Sequence, residues 1–281
     1  MDDYREYVPN VHFEQIPIKN LVSNQEYQRN LAVSHLRRTI ENFDLYQVNP
    51  VKISRRDGVN YVFNGQHTIE IIAAVSGSRE TPVWCMVYDD LEYSQEADIF
   101  ANQMKYVKPL LPYEIFTANL EAGSGEQLII KSLVESYGMF LSQNKTPGAI
   151  CAIACLEHIY RRYGFHVLDR TLRLCIGTWE GDYHSLSANM LKGIARLIVA
   201  FGETMKDDVF KEKVGALSAR EISRLAKERR SGSLGYAESM LLAYNKKMKA
   251  GLQWSKMYQS QPALQEEEPD IPSGEERASS P

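Results

Sequence analysis

Apolar positions alternate or bunch into short runs in the first third of the chain and recur every three or four residues in the rest. Val11, Phe13, Ile16 and Ile18 predict a first strand that stops near Lys19-Asn20. Residues 1–12 read as loosely structured, and the polar residues 24–30 as a loop. Ser34 is placed to cap a helix whose apolar face is Leu36, Ile40 and Phe43, with Arg37 and Arg38 off that stripe. Pro50, Val51 and Ile53 flank Asp57-Gly58 together with Tyr61–Phe63, which is a hairpin signal. Residues 82–88 predict a buried strand and residues 92–102 a helix. The order β-α-β-β-α-β-α makes residues 1–110 a compact α/β unit.

From Tyr113 the period changes to that of helices. Residues 118–120, 128–134, 149–163, 168–179, 186–201, 217–230 and 237–248 all show it, with Gly138 and Pro147-Gly148 as punctuation. The helix at 217–230 is well marked. Ser218 and Glu221 form a capping box, and Leu217 and Ile222 a hydrophobic staple. Residues 111–261 thus predict an all-α domain, and residues 262–281, acidic and proline-bearing, a disordered tail. The fold class is α+β. No internal repeat is visible.

The stretch 59–77, VNYVFNGQHTIEIIAAVSG, is where the first unit concentrates its chemistry. A short aromatic strand runs into Asn64-Gly65, and both residue types accept the positive φ of a sharp turn. Gln66, His67 and Thr68 then open a helix that Gly77 can close. Unpaired amides and the positive end of the dipole at such a helix start favour an anion, and a glycine lets a phosphate approach the backbone. The alternative is an ordinary β-to-α connection.

Charge adds an asymmetry. The net charge of −4 divides into 11 basic and 15 acidic groups in residues 1–110, 20 and 15 in residues 111–261, and one against six in the last twenty. The +5 of the helical region permits nucleic-acid binding without requiring it. Arg161, Arg162 and Arg173, with Arg220, Arg224, Lys227, Arg229 and Arg230, are the candidate contacts, a solvated helix face being the alternative. Composition is that of a soluble globular protein, with no apolar run of about 20 residues to span a bilayer. A polar N-terminus and four cysteines point to a cytoplasmic protein with reduced thiols. Cys151, Cys155 and His158 share a predicted helix face, but they lack a Cys-x-x-Cys knuckle and read as core. The turn at Gly123-Ser124-Gly125 lacks the Gly-Lys-Ser/Thr ending of a P-loop, and Ser124 reads as an N-cap.

In their order, residues 13–115 resemble the N-terminal domain of the ParB/sulfiredoxin superfamily. The features are Ile16, Tyr27-Gln28-Arg29, the helix from Ser34 to Phe43, Leu45 to Pro50, Asn64-Gly65-Gln66-His67-Thr68, Pro82 to Tyr88, Asn102-Gln103-Met104-Lys105 and Leu111-Pro112-Tyr113-Glu114. The box Asn64–Thr68 stands where ParB proteins carry GERR and more distant relatives DGQHR. The resemblance implies a phosphate pocket of Arg29, Gly65, Gln66, His67, Thr68, Asn102 and Lys105, with CTP and Mg2+ as the family's ligands. Departures narrow it. Gln66 replaces the sulfiredoxin cysteine, so no thiolate is available. Thr68 replaces the last box arginine and Ala101 a metal-binding acid, while Lys105 keeps a charge but not a bidentate fork.

Resemblance and charge together imply a ParB-like, DNA-associated protein of a bacterial, phage or plasmid system, with a helical half that binds DNA or a second copy in a homodimer and no membrane role. Two alternatives stand beside it. One is a ParB-type nuclease or nucleotide hydrolase, with His67 as acid/base and Asp89, Asp90 or Glu92 on a metal. The other is a non-catalytic interaction module tethered by the acidic tail.

Overall fold

The structure, a computed structural model, describes residues 10–23, 33–89, 91–102, 105 and 108–259. The expectations for residues 1–9, for the loop 24–30 with Arg29, for Asp90, Gln103 and Met104, and for the tail 262–281 lie outside these residues. The chain divides into two compact units, residues 1–109 and 110–281.

The first unit is built on a mixed sheet of five strands: β1 (Val11–Pro17), β2 (Leu21–Ser23), β3 (Val51–Arg56), β4 (Val59–Asn64) and β5 (Pro82–Tyr88), in the order β1-β5-β3-β4-β2. The β3–β4 hairpin turns at Asp57 and Gly58 with φ of 52° and 77°, the pair of positive angles a type I′ turn needs. β3 also lies parallel to β5, which is antiparallel to β1. The strand β2, parallel to β4, has no counterpart in the expected order; three residues are too few for an alternation signal. Helices α1 (Val33–Glu41), α2 (Gln66–Ser76) and α3 (Tyr93–Asn102) complete the unit. Val51, Ile53, Val62, Cys85 and Val87 are fully buried, and Ile69 carries α2 into this core.

The second unit contains α4 (Pro112–Glu121), α5 (Gly125–Ser136), α6 (Ile153–Tyr163), α7 (Phe165–Trp179), α8 (Ala188–Phe201), α9 (Asp207–Val214), α10 (Ala219–Arg229), α11 (Gly232–Asn245) and α12 (Trp254–Gln259). Two short parallel strands, β6 (Phe140–Leu141) and β7 (Ala149–Ile150), join α5 to α6. Helices α8 and α11 form its centre. Gly193 is why they pack so closely: a Cβ there would stand 3.0 Å from the Tyr236 Cβ and 3.2 Å from the Ala237 nitrogen.

Several boundaries differ from expectation. Residues 149–150 pair as a strand, because Gly148 with φ of 79° redirects the chain and α6 begins only at Ile153. Cys151 therefore precedes the helix that holds Cys155 and His158, and the three do not share a helical face. Helices α9 and α12 have no counterpart in the expected series; at eight and six residues they offer little periodicity. Ser124 does sit at the N-cap of α5, yet its hydroxyl donates to the Gln127 side chain instead of accepting from the helix. The Ser218–Glu221 capping box is present in both directions.

Candidate functional site

The turn after β4 has the geometry that its sequence demands. Gly65 caps α2 in the left-handed region, φ 105° and ψ 16°. Its carbonyl accepts from the Ile69 amide at 3.0 Å, so the helix begins immediately. The turn also lies against β3: an added Cβ would meet Val51 Cα at 3.1 Å and both Val51 Cγ atoms at 3.2 Å. Conformation and space both select glycine here. Gln66, His67 and Thr68 follow on the first turn of α2, each half-buried. Backbone amides, a dipole end and three polar side chains are thus gathered at one strand-to-helix junction.

The remaining pocket candidates are distributed differently. Asn102, the last residue of α3, bonds back to its own helix, donating to the Asp98 carbonyl at 3.0 Å and to Asp98 Oδ1 at 2.9 Å. Lys105 is exposed. Asp89 pairs with His12 Nδ1 at 3.1 Å, and Glu92 binds Gln95 and Glu96 through its backbone at the start of α3. Among the described residues, no group of three or more His, Cys, Asp or Glu side chains is arranged to hold a metal ion. The Cys155 thiol faces the Ala188 carbonyl and the Cys175 thiol the Ser185 carbonyl, and burial pushes both up to about 12. They are protonated core groups at neutral pH.

One charged pair in this unit has no signal in the sequence. Glu96 on α3 is fully buried, with Arg56 Nε 2.8 Å from its Oε1, at an angle that makes an ion pair and not a linear hydrogen bond. The same guanidinium lies 4.5 Å from the Tyr61 ring centroid and 5.8 Å from that of Tyr93. The pair ties α3 to the hairpin leading into the glycine turn. Its partners are 40 residues apart on different elements, so no local spacing announces them.

In the helical unit the basic candidates separate by what they touch. Arg161 is tied to Glu126 at 2.7 Å and Glu157 at 3.3 Å, Arg162 lies 5.6 Å from the Tyr163 ring, and Arg173 meets Asp207 at 3.2 Å. Nearby Arg170 is mostly buried and clamps the α8–α9 connection through Asp207 and the carbonyls of Gly202 and Met205. Helix α10 is different. It buries Ala219, Ile222 and Ala226, while Arg220, Arg224 and Lys227 form an exposed stripe at i, i+4 and i+7, and Arg229 and Arg230 lie exposed at its C-terminal end. Arg220 Nε donates to His184 Nε2 at 3.1 Å, which leaves the ring's Nδ1 as the hydrogen-bonding partner of Asp182 at 2.9 Å. Arg224 pairs with Glu228 at 2.8 Å, both exposed. The four residues 215–218 join α9 to α10, a helix–turn–helix connection length that the shortness of α9 hides in the sequence.

Helices long and apolar enough to cross a membrane are absent among the described residues. No curated protein matches the chain. It aligns with a solved structure described as the C-terminally truncated chromosome-partitioning protein ParB from Caulobacter crescentus complexed with CTP-gamma-S. The identity is 14%, with 82% of this chain and 98% of that chain covered, and the TM-score is 0.35. A superposition that loose transfers no residue role. Among protein families, residues 22–253 match one described as a family of unknown function, DUF6551. That match spans most of the chain, which therefore belongs to the DUF6551 family.

Proposed function

We propose that this protein is a ParB-like, DNA-associated protein of a bacterial, phage or plasmid system. In this reading the helical unit contacts duplex DNA through α10, and the glycine turn of the first unit receives a phosphate, from a nucleotide such as CTP or from nucleic acid. The observation that carries it is the exposed stripe Arg220, Arg224 and Lys227 on a capped helix that follows a short turn. The ordered motifs of residues 13–115 support the family reading.

The chemistry is exchange of partners. An exposed ion pair contributes about 0–1 kcal/mol, so Arg224 releases Glu228 for a phosphate at little cost. Arg220, hydrogen-bonded to the His184 ring, stands in the first turn of α10, where the amide dipoles also favour an anion. At the glycine turn the attraction comes from backbone amides with Thr68 and His67, a set suited to binding a phosphate more than to turning one over.

The test is the affinity for duplex and single-stranded DNA across salt. Three phosphate contacts give a slope of log K on log salt of about −2.7, and Lys227→Ala lowers its magnitude by about 1. A protein with no salt-dependent affinity for either DNA is not DNA-associated in this way. Calorimetry with CTP, ATP and GTP, repeated with Thr68→Ala, decides the phosphate site separately: heat that Thr68→Ala weakens supports it, and no heat with any nucleotide removes the nucleotide.

A further inference from the structure

The described chain ends beside the basic helix. α12 inserts Met257 into the core of the helical unit, where it is fully buried. The next residue, Tyr258, donates its hydroxyl to Glu238 of α11 at 2.7 Å. Arg230, directly after α10, approaches the same carboxylate oxygen at 3.8 Å. The hydrogen bond to Glu238 holds the Tyr258 hydroxyl above its ordinary range, and Arg230 and Arg229 pull in the opposite direction. Glu238 thus gathers the last described turn of the chain and the C-terminal end of α10 at one point.

The remaining residues of the chain are opposite in charge to that end. Residues 260–281 carry Glu266, Glu267, Glu268, Asp270, Glu275 and Glu276 against Arg277, a net −5. Residues 219–230 carry five basic side chains against Glu221 and Glu228, a net +3. Reach is ample. Glu266 is eight residues beyond Tyr258, up to about 28 Å of chain, whereas α10 is about 16 Å long.

We propose that the segment 260–281 docks on α10 as an intramolecular polyanion, placing the carboxylates of residues 266–270 against Lys227, Arg224 and Arg230. The docking deepens the reading of α10 as a DNA-contacting helix, because the segment takes the surface that phosphates would take. Each contact is weak on an exposed face, but tethering raises the local concentration of the segment to the order of millimolar. Salt screens the association, and duplex DNA, with its higher charge density, displaces it. The segment therefore raises the affinity a nucleic acid must have before it gains α10.

Two measurements on the full chain test this. Zero-length carbodiimide cross-linking without nucleic acid, read by peptide mapping, is expected to join Lys227 to carboxylates of residues 266–270. The link should weaken in the double variant Arg229→Glu, Arg230→Glu and on raising salt from about 0.05 to about 0.5 M. No Lys227 link, or one indifferent to salt and charge reversal, overturns the proposal. In the second arm, Glu266→Gln, Glu267→Gln, Glu268→Gln and Asp270→Asn are combined. The expected result is roughly tenfold tighter duplex binding at low salt, with the gain lost at high salt; equal affinity overturns the competition. If neither protein binds DNA, it is the DNA reading of α10 that fails, and the cross-linking arm alone decides whether the segment docks.

Discussion

Two arginine–glutamate pairs of the same 2.8 Å length, one in each unit, do opposite things. Arg56–Glu96 joins β3 to α3 with the carboxylate fully buried and the guanidinium stacked near Tyr61. Arg224–Glu228 lies along α10 with side chains 64% and 57% exposed. The first cannot exchange its partner, because separating it leaves a charge in a medium that solvates it poorly. The second exchanges readily, because water and salt already compete for both ends. Distance alone says nothing about which is scaffold and which is surface; burial decides. The first unit thus uses charge to hold the frame around a glycine turn. The second presents charge outward on a helix that packs inward through Ala219, Ile222 and Ala226.

The largest expected effect breaks the buried pair. Arg56→Ala removes the cation facing Glu96 and should cost about 3 kcal/mol in urea denaturation. Replacing both partners, as Arg56→Met with Glu96→Leu, should recover much of that loss, since the penalty is a stranded charge and not a lost attraction. A single variant no worse than the double would show that Glu96 tolerates the loss of Arg56.

Next comes the glycine turn. Gly65→Ala places a Cβ at φ 105° and within 3.2 Å of Val51, and should cost about 2 kcal/mol in the same measurement. If the turn receives a phosphate, nucleotide heat should fall with it, whereas DNA affinity through α10 should hold.

The smallest effect on stability belongs to the exposed pair. Glu228→Gln should change unfolding by no more than about 0.5 kcal/mol. It should nevertheless strengthen duplex binding at low salt, by freeing Arg224 and removing a like charge to phosphate. A stability loss as large as that of Arg56→Ala would erase the contrast between the two pairs.

Much of the fold is readable from local pattern. The β3–β4 hairpin, the strand at residues 82–88, the start of α2 at Gly65 and the capped α10 all declare themselves within a dozen residues, because turn angles, alternation and caps are local physics. The candidate sites are legible only in part. Gly65 to Thr68 are neighbours in sequence, so their clustering is guaranteed, whereas Asn102 turns to Asp98 on its own helix, a choice no motif records. Cys151, Cys155 and His158 match a helical spacing, yet Gly148 delays the helix.

By itself, the sequence determined that an α/β unit precedes a helical one, that Asn64-Gly65 breaks a strand ahead of a helix, and that basic residues crowd residues 219–230 while acidic ones crowd residues 262–281. Only the tertiary structure decided which charges are committed. Glu96 became buried because α3 packs on the hairpin, and the chain was led back to Arg229 and Arg230 because α12 seats Met257 in the core and Tyr258 on Glu238. Burial and the pairing of distant residues arise from packing between elements, and packing has no signature in local periodicity.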